Sequence, residues 1–492
     1  MFSSLNNQSP VVAYTMLGMY LLILVYTLIR ILLDTRAASK TLAYLLIVAV
    51  VPVAGIIFYY AFGINYRRKR STDRLAQIYR KISDQFRHHL TDSTDSLQKE
   101  NRNIFDPYLP LIRFMHAIGE ENLTKNRYRL LVNGEEKFPE VIKTLGTARH
   151  HIHMEYYAWE NDIRGNEIKD LLIRKVAEGV KVRVIYDAYA SRKIKNNIVR
   201  ELRAAGAEIH PIIRVKLKQF ANRINHRDHR KIIVVDGATA FVGGINVSDR
   251  YDNSIDTGLY WRDTHVRIAG PGVANLQRHF LINWNACQTE KLDVDEELFP
   301  KELNLPEQDI AAMSQVMAGG PIYSMSRIML TYARLFALAR QKLYITNPYF
   351  IPNETILDTL KQAAKSGVDV RLLLPLKSDS AIVGAASRFY FQELLQAGVK
   401  IFLYKKGFVH AKTVVADGML SVVGTANMDI RSFDLNFEIM PVIYGKEFAT
   451  EVEESFKNDL KESIEINGSD WEKTPVSRKL AYAIARLISA FL

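Results

Sequence analysis

With a single cysteine, Cys287, among 492 residues, the chain cannot close an intrachain disulfide, and a catalytic part in a reducing compartment fits best. The first 29 residues contain no Asp, Glu, Lys, Arg or His. Within them Val11 to Ile29 is almost unbroken apolar sequence ended by Arg30, and Thr41 to Asn65 repeats the pattern without any charge. Each run is about as long as the roughly 20 residues a helix needs to cross a bilayer core. A cleaved signal peptide is the other reading of the first run, but it lacks a basic n-region and is long for an h-region. Pro52 and Gly55 leave a re-entrant hairpin as the alternative to a second crossing. Asp34–Lys40 joins the runs, and the second is followed by Arg67, Arg68, Lys69 and Arg70, then Arg74, Arg80 and Lys81. The positive-inside rule then predicts a multi-pass protein of the cytoplasmic (inner) membrane, with its large C-terminal part in the cytoplasm.

What remains has the composition of a folded protein, 48% hydrophobic and 24% charged, and enough length for two cores. A net charge of +12 favours an anionic partner, nucleic acid or acidic lipid. After the transmembrane hairpin (1–66), residues 67–115 read as a basic helical connector. An internal repeat follows. HIHMEYY near Arg149 has its counterpart in KLYITNPYF near Arg340. AEGVKVRVIYD, ending at Asp187, matches AKSGVDVRLLLP, ending at Pro375, and ELRAAGAEIHPI from Glu201 matches ELLQAGVKIFLY from Glu393. Three matched helix–strand units in the same order predict two α/β lobes of one design, over 116–300 and 301–450, with a helical tail at 451–492.

Each repeat ends in the most informative segment of the chain: HRKIIVVDGATAFVGGIN from His229 and HAKTVVADGMLSVVGTAN from His410. His229, Lys231, Asp236, Gly243 and Asn246 stand at the same offsets as His410, Lys412, Asp417, Gly424 and Asn427. About 0.04 accidental His-x-Lys-x-x-x-x-Asp matches are expected in a chain of this composition, so two in equivalent places are not chance. Residues two apart on a strand face the same way, so each His and Lys can meet one phosphate. Asp236 and Asp417, although part of the motif, precede glycines, where a carboxylate commonly fixes a turn, and are read as supports. Gly244 and Thr425 close a second strand where the backbone can approach a ligand, and Asn246 and Asn427 would supply neutral donors to it.

These motifs resemble the phospholipase D superfamily, and HIHMEYY, NPYFIP, WRDTHVRIAGPG from Trp261 and the apolar N-terminus resemble its bacterial cardiolipin synthase branch. The resemblance implies an α/β fold of two homologous lobes, mixed sheets flanked by helices, sharing one active site behind two N-terminal transmembrane helices. It implies transfer through a covalent phosphohistidine, with His229 as nucleophile, His410 as acid and base, and Lys231 and Lys412 neutralising the phosphate. An acid later in each lobe orients the motif histidine in such proteins; Asp263 and Glu438 match, although their offsets from His229 and His410 differ by several residues. Phosphatidylglycerol and anionic membrane lipid are the implied partners, with no nucleic acid, cofactor or metal.

Other features carry less. His226 and His229 lack acidic or Cys partners at metal-ligand spacing and have basic neighbours. His150, His151 and His153 read as surface or core residues. The basic stretch Arg214–Arg230 is either a solvated face or a surface for anionic headgroups. Trp471 and then Leu480, Ile484, Leu487, Ile488 and Phe491 recur at helical spacing, as an interfacial helix or one packed on the lobes. A transferase making cardiolipin leads the functional readings, ahead of a hydrolase of the same mechanism, a nuclease and an inactive scaffold. Neither apolar run contains the clustered acids that a metal-dependent CDP-alcohol phosphatidyltransferase would need.

Overall fold

The computed structural model describes residues 10–34, 38–60, 71–89, 94–100, 106–119, 121–212, 227–288, 291–300 and 302–489. The Arg67–Arg70 cluster, His226, most of the basic stretch after Arg214, and Phe491 lie outside these residues. The described chain divides into two compact units, one holding the N-terminal helices and the other beginning at Leu75.

In the N-terminal unit the helix Pro10–Asp34 is apolar and its side chains are largely exposed, Leu22 and Leu33 among them. At 1.5 Å per residue its 25 residues reach about 37 Å, enough for a hydrocarbon core of about 30 Å. The second apolar run departs from the expected single helix. It forms Ala38–Val50 and Pro52–Phe58, broken at Val51, whose φ of -132° and ψ of 73° are not helical. Pro52 disfavours the helical region for the residue before it. Gly55 then lets the second piece fold back, since any Cβ there would lie 2.7 Å from the Ile47 carbonyl oxygen. The first piece alone rises only about 20 Å.

In the larger unit the first repeat supplies β1 (Thr124–Val132), β2 (His151–Tyr156), β3 (Lys181–Asp187), β4 (Glu208–Ile212), β5 (Lys231–Val235), β6 (Thr239–Gly243), β7 (Trp261–Arg262) and β8 (Thr264–Ala269). The second supplies β9 (Ile310–Gly319), β10 (Lys342–Thr346), β11 (Phe350–Ile351), β12 (Asp369–Pro375), β13 (Lys400–Tyr404), β14 (Phe408–Val409), β15 (Thr413–Ala416), β16 (Leu420–Val423), β17 (Met428–Asp429) and β18 (Glu438–Tyr444), ahead of β19 (Ser463–Glu465). Fifteen strands form one sheet in the order β19-β13-β12-β10-β15-β16-β18-β9-β1-β8-β6-β5-β2-β3-β4. The order reads alike from either end of the repeats. The three units matched in the sequence are the parallel strands β2-β3-β4 and β10-β12-β13, and each motif strand, β5 or β15, runs antiparallel beside them.

The expected two sheets are thus a single shared one. They merge because β1 and β9 pair antiparallel at the centre, with Thr124 opposite Ser314 and Tyr128 opposite Ile310. Strand alternation feeds helices on both faces. Ile233 and Val235 of β5 point into one core, Ile232 and Val234 into another that continues across both lobes to Val415, Phe448 and Phe456. Two of the expected boundaries fall inside helices for this reason. The helix Leu109–Gly119 buries Leu111, Ile112 and Met115 in the second lobe's core, and Lys446–Lys461 covers the shared face.

Candidate active site

The two lobes reach into each other at the motif histidines. The amide of His229 donates to the Phe437 carbonyl at 3.0 Å, and that of His410 donates to the Arg262 carbonyl at 2.7 Å. Behind the second contact, β14 and β7 pair in parallel. Phe437 immediately precedes Glu438, and Arg262 immediately precedes Asp263, so each histidine meets the acid of the opposite lobe. His229 Nδ1 lies 2.9 and 3.1 Å from the Glu438 carboxylate oxygens, and His410 Nδ1 lies 2.6 Å from Asp263 Oδ2. The acids therefore act across the repeat, not within it as the sequence pattern suggests. With Nδ1–H given to a carboxylate, Nε2 is the nitrogen left for chemistry.

Lys231 Nζ donates to the His229 carbonyl at 2.6 Å, and Lys412 donates to that of His410. Both lysines and both acids are buried. Burial lowers Lys231 to about 7 and Lys412 to about 8; Lys412 adds to the fall at Lys231, while Glu438 and Asp263 oppose it at both. Burial also lowers His410 to about 3, with Lys412 adding to it, and moves His229 in the same direction. Two confined cations whose ammonium protons are easily lost form a place where an anion is welcome. A phosphodiester entering between them would restore both charges.

The histidines differ in their walls. His229 meets the edge of Tyr157 at 4.9 Å, whereas His410 is ringed by Trp261, Phe408, Tyr251 and Tyr349 at 5.5 to 6.5 Å between centroids. Beneath His229 the first lobe buries Glu155, Asp228 and Arg230, and burial raises both carboxyls. In the second lobe Thr346, Val409 and Ala411 occupy the matching positions. In the sequence Arg230 only ends the basic stretch, and Glu155, Tyr349 and Trp261 lie within HIHMEYY, NPYFIP and WRDTHVRIAGPG without a role of their own; the unmatched charges of DHR against VHA are the signal for the asymmetry.

Other candidate residues are engaged elsewhere. Gly244 has no room for a side chain, because a Cβ would lie 2.1 Å from Asp263 Oδ1, so the glycine makes room for that carboxylate. At the matching position Thr425 donates its hydroxyl hydrogen to Glu438. Asn246 accepts from the Ala158 amide at 3.1 Å and donates to the Tyr251 hydroxyl at 2.6 Å, tying loops together. Among the described residues the Asn427 amide oxygen has no hydrogen-bond partner. His153 stacks on Phe280 at 4.4 Å within the core.

The motif aspartates lie at the far end of their strands, five residues or about 16 Å beyond the lysines. Asp236 accepts from the amides of Arg149, His150 and His151 at 2.8 to 2.9 Å, and Asp417 from those of Arg340, Gln341 and Lys342 at 2.8 to 3.0 Å. Both adopt positive φ, 51° and 52°, which Asp and Asn tolerate best after Gly. Asp236→Asn keeps the turn, but its NH₂ cannot accept from the Arg149 amide and the two bonds left on its oxygen lose their charge. It is expected to lower stability by about 1.5–3 kcal/mol, with activity per folded molecule retained; denaturant unfolding and specific activity check this, and a stable but inactive variant would assign Asp236 to the chemistry.

Comparison with known proteins agrees with this geometry. The family model for cardiolipin synthase, PLD-like domain, matches residues 141–279 and 332–460, once in each repeat, and the model for the phospholipase D-nuclease N-terminal segment matches 22–63. The chain is 41% identical over 463 residues to cardiolipin synthase 2 of Bacillus cereus, covering 94% of this chain and 88% of that one. It is 35% identical over 488 residues to the cardiolipin synthase of Listeria monocytogenes serotype 4a, covering 98% and 99%. Among solved structures, phosphatidylserine synthase of Haemophilus influenzae Rd KW20 shares the fold, with a TM-score of 0.58 at 17% identity over 78% of this chain and 100% of that one. With one motif match in each half of a shared sheet and relatives alike along nearly its whole length, the chain belongs to the bacterial cardiolipin synthase family of the phospholipase D superfamily.

Proposed function

We propose that the chain transfers a phosphatidyl group from one phosphatidylglycerol to the headgroup hydroxyl of another, releasing glycerol and making cardiolipin. The observation that carries this is the buried pair of histidines, each held by the other lobe's carboxylate beside a lysine. Nε2 of His229 attacks phosphorus, and His410, which takes up a proton once the phosphodiester brings its negative charge into the site, gives that proton to the departing glycerol oxygen. Glu438 stabilises the cationic imidazole that results. Lys231 and Lys412 neutralise the equatorial oxygens, where charge develops. His410 then removes the proton of the incoming hydroxyl, which attacks phosphorus and returns His229 to its free form. The aromatic ring around His410 supports its place on the alcohol side, since an apolar wall disfavours water there. Purified protein in phosphatidylglycerol vesicles is expected to yield cardiolipin and glycerol in equal amounts, with phosphatidic acid minor. Phosphatidic acid in excess over cardiolipin would make the protein a hydrolase.

The N-terminal apolar helix and the family match support attachment to the inner membrane. Both apolar runs are proposed to cross it, with the catalytic unit in the cytoplasm, on the strength of the Arg67–Arg70 cluster. The break at Val51 favours a second arrangement, a re-entrant hairpin, in which the link between the runs stays cytoplasmic. A cysteine reporter at Ala38 labelled by an impermeant reagent from outside is the expected result; labelling only from the cytoplasmic side would establish the hairpin.

A further inference from the structure

The C-terminal helix Val476–Ser489 divides its surface between two environments. One face packs on the helix Ala381–Arg388. There Ala485 is buried, Tyr482 stacks on Trp471, Trp471 packs on Phe391 at 5.0 Å, and the Arg486 guanidinium covers the Phe389 ring at 4.2 Å. At about 100° per residue, Val476, Leu480, Ile484 and Leu487 fall on the opposite face. All four are exposed, by 82%, 60%, 48% and 60%. The sequence left two readings open for this segment, an interfacial helix or a packed one. One face packs on the lobe, and the other is left exposed.

We infer that this stripe lies in the surface of an anionic bilayer and holds the mouth of the active site at headgroup level; the second half of this statement rests on the proposed transferase reading. Charge selects the occupant first. From Lys473 to Ser489 there is no Asp or Glu, while Lys473, Arg478, Lys479 and Arg486 are all basic, the pattern of a helix that lies among acidic headgroups. Size argues against a second copy of the chain. A 14-residue helix presents a face of about 20 by 10 Å, roughly a quarter of the about 800 Å² per partner that stable protein interfaces bury.

Position links the stripe to the chemistry. The supporting helix starts at Ala381, capped by Ser380, and the preceding Asp379 accepts a hydrogen bond from the Tyr349 hydroxyl at 2.5 Å. Tyr349 is one of the rings around His410, 6.5 Å away. Seating the stripe among acyl chains would therefore fix the depth of the wall through which a lipid headgroup reaches His410. A phosphodiester could enter while its acyl chains stayed in the bilayer, which avoids the cost of extracting them into water.

The test uses the full chain, with Cys287→Ser as background, in nanodiscs of phosphatidylglycerol mixed with neutral lipid or of neutral lipid alone. Single cysteines at Leu480, Ile484 and Leu487 carry a nitroxide, with Glu454 as an exposed control. The three stripe labels are expected to be accessible to oxygen and shielded from a water-soluble nickel chelate in the anionic discs, less so in neutral ones, with the control reversed. Nickel access equal to the control would overturn the proposal, and so would shielding from both probes, the signature of a protein partner. Leu480→Glu, Ile484→Glu and Leu487→Glu together should reduce cardiolipin formation in vesicles by about tenfold or more, while cleavage of a water-soluble chromogenic phosphodiester is unchanged. Equal loss on both substrates would overturn the positioning role. The label depths do not depend on activity, so a wild-type protein that makes no cardiolipin rejects the transferase reading alone.

Discussion

His229→Ala and His410→Ala are each expected to reduce cardiolipin formation by about 10⁴-fold or more, with thermal unfolding close to that of the parent. Alanine leaves the backbone bonds from His229 and His410 to the opposite lobe in place, and the aromatic rings around His410 keep their own packing in the core. The chemistry needs both. Without a nucleophile no covalent intermediate forms, and without a proton donor a glycerol alkoxide is too poor a leaving group to depart. The double variant should be no worse than either single one, because the two act as a unit. A chromogenic phosphodiester whose phenolate leaves unaided separates the roles. His410→Ala should still release one equivalent of phenolate and stop at the phosphohistidine, and His229→Ala should release none. Substantial turnover of phosphatidylglycerol by either variant would reject the two-histidine mechanism.

The repeated His, Lys, Asp, Gly and Asn offsets made the paired motifs legible, and the apolar run after each lysine made β5 and β15 legible as buried strands. What escaped lay in long-range pairing. Glu438 is 209 residues from the histidine it holds and Asp263 is 147 from its own, so neither partnership leaves a local trace. β1 and β9 carry no motif, and their pairing at the centre turns two expected sheets into one. Gly244 and Thr425 were read as places where the backbone at the end of a strand can approach a ligand. In the structure one leaves room for Asp263 and the other bonds Glu438, partners that no local pattern reveals. In the second apolar run, hydropathy measures length alone, and the break at Val51 comes from Pro52 and Gly55, the two residues that left a re-entrant hairpin open in the sequence.

Exchange of acids between lobes has a consequence that mutants can read. Glu438→Gln and Asp263→Asn are each expected to cost about 10²–10⁴-fold in turnover, the range seen when an acid that orients a catalytic histidine becomes an amide. The amide keeps the volume but not the charge. It can turn its NH₂ toward Nδ1, which forces the proton onto Nε2 and removes the lone pair that must attack phosphorus, and it no longer stabilises an imidazolium. If each acid serves the opposite lobe, Glu438→Gln should copy His229→Ala and release no phenolate from the chromogenic substrate. Asp263→Asn should copy His410→Ala, giving one equivalent of phenolate and then no transfer to an alcohol. This pairing of phenotypes tests the exchange whichever histidine is the nucleophile, because a change of nucleophile would reverse both members of each pair together. Matching of Glu438→Gln with His410→Ala, and of Asp263→Asn with His229→Ala, would mean that each acid works within its own lobe and that the contacts at 2.6 to 3.1 Å do not orient the reacting rings.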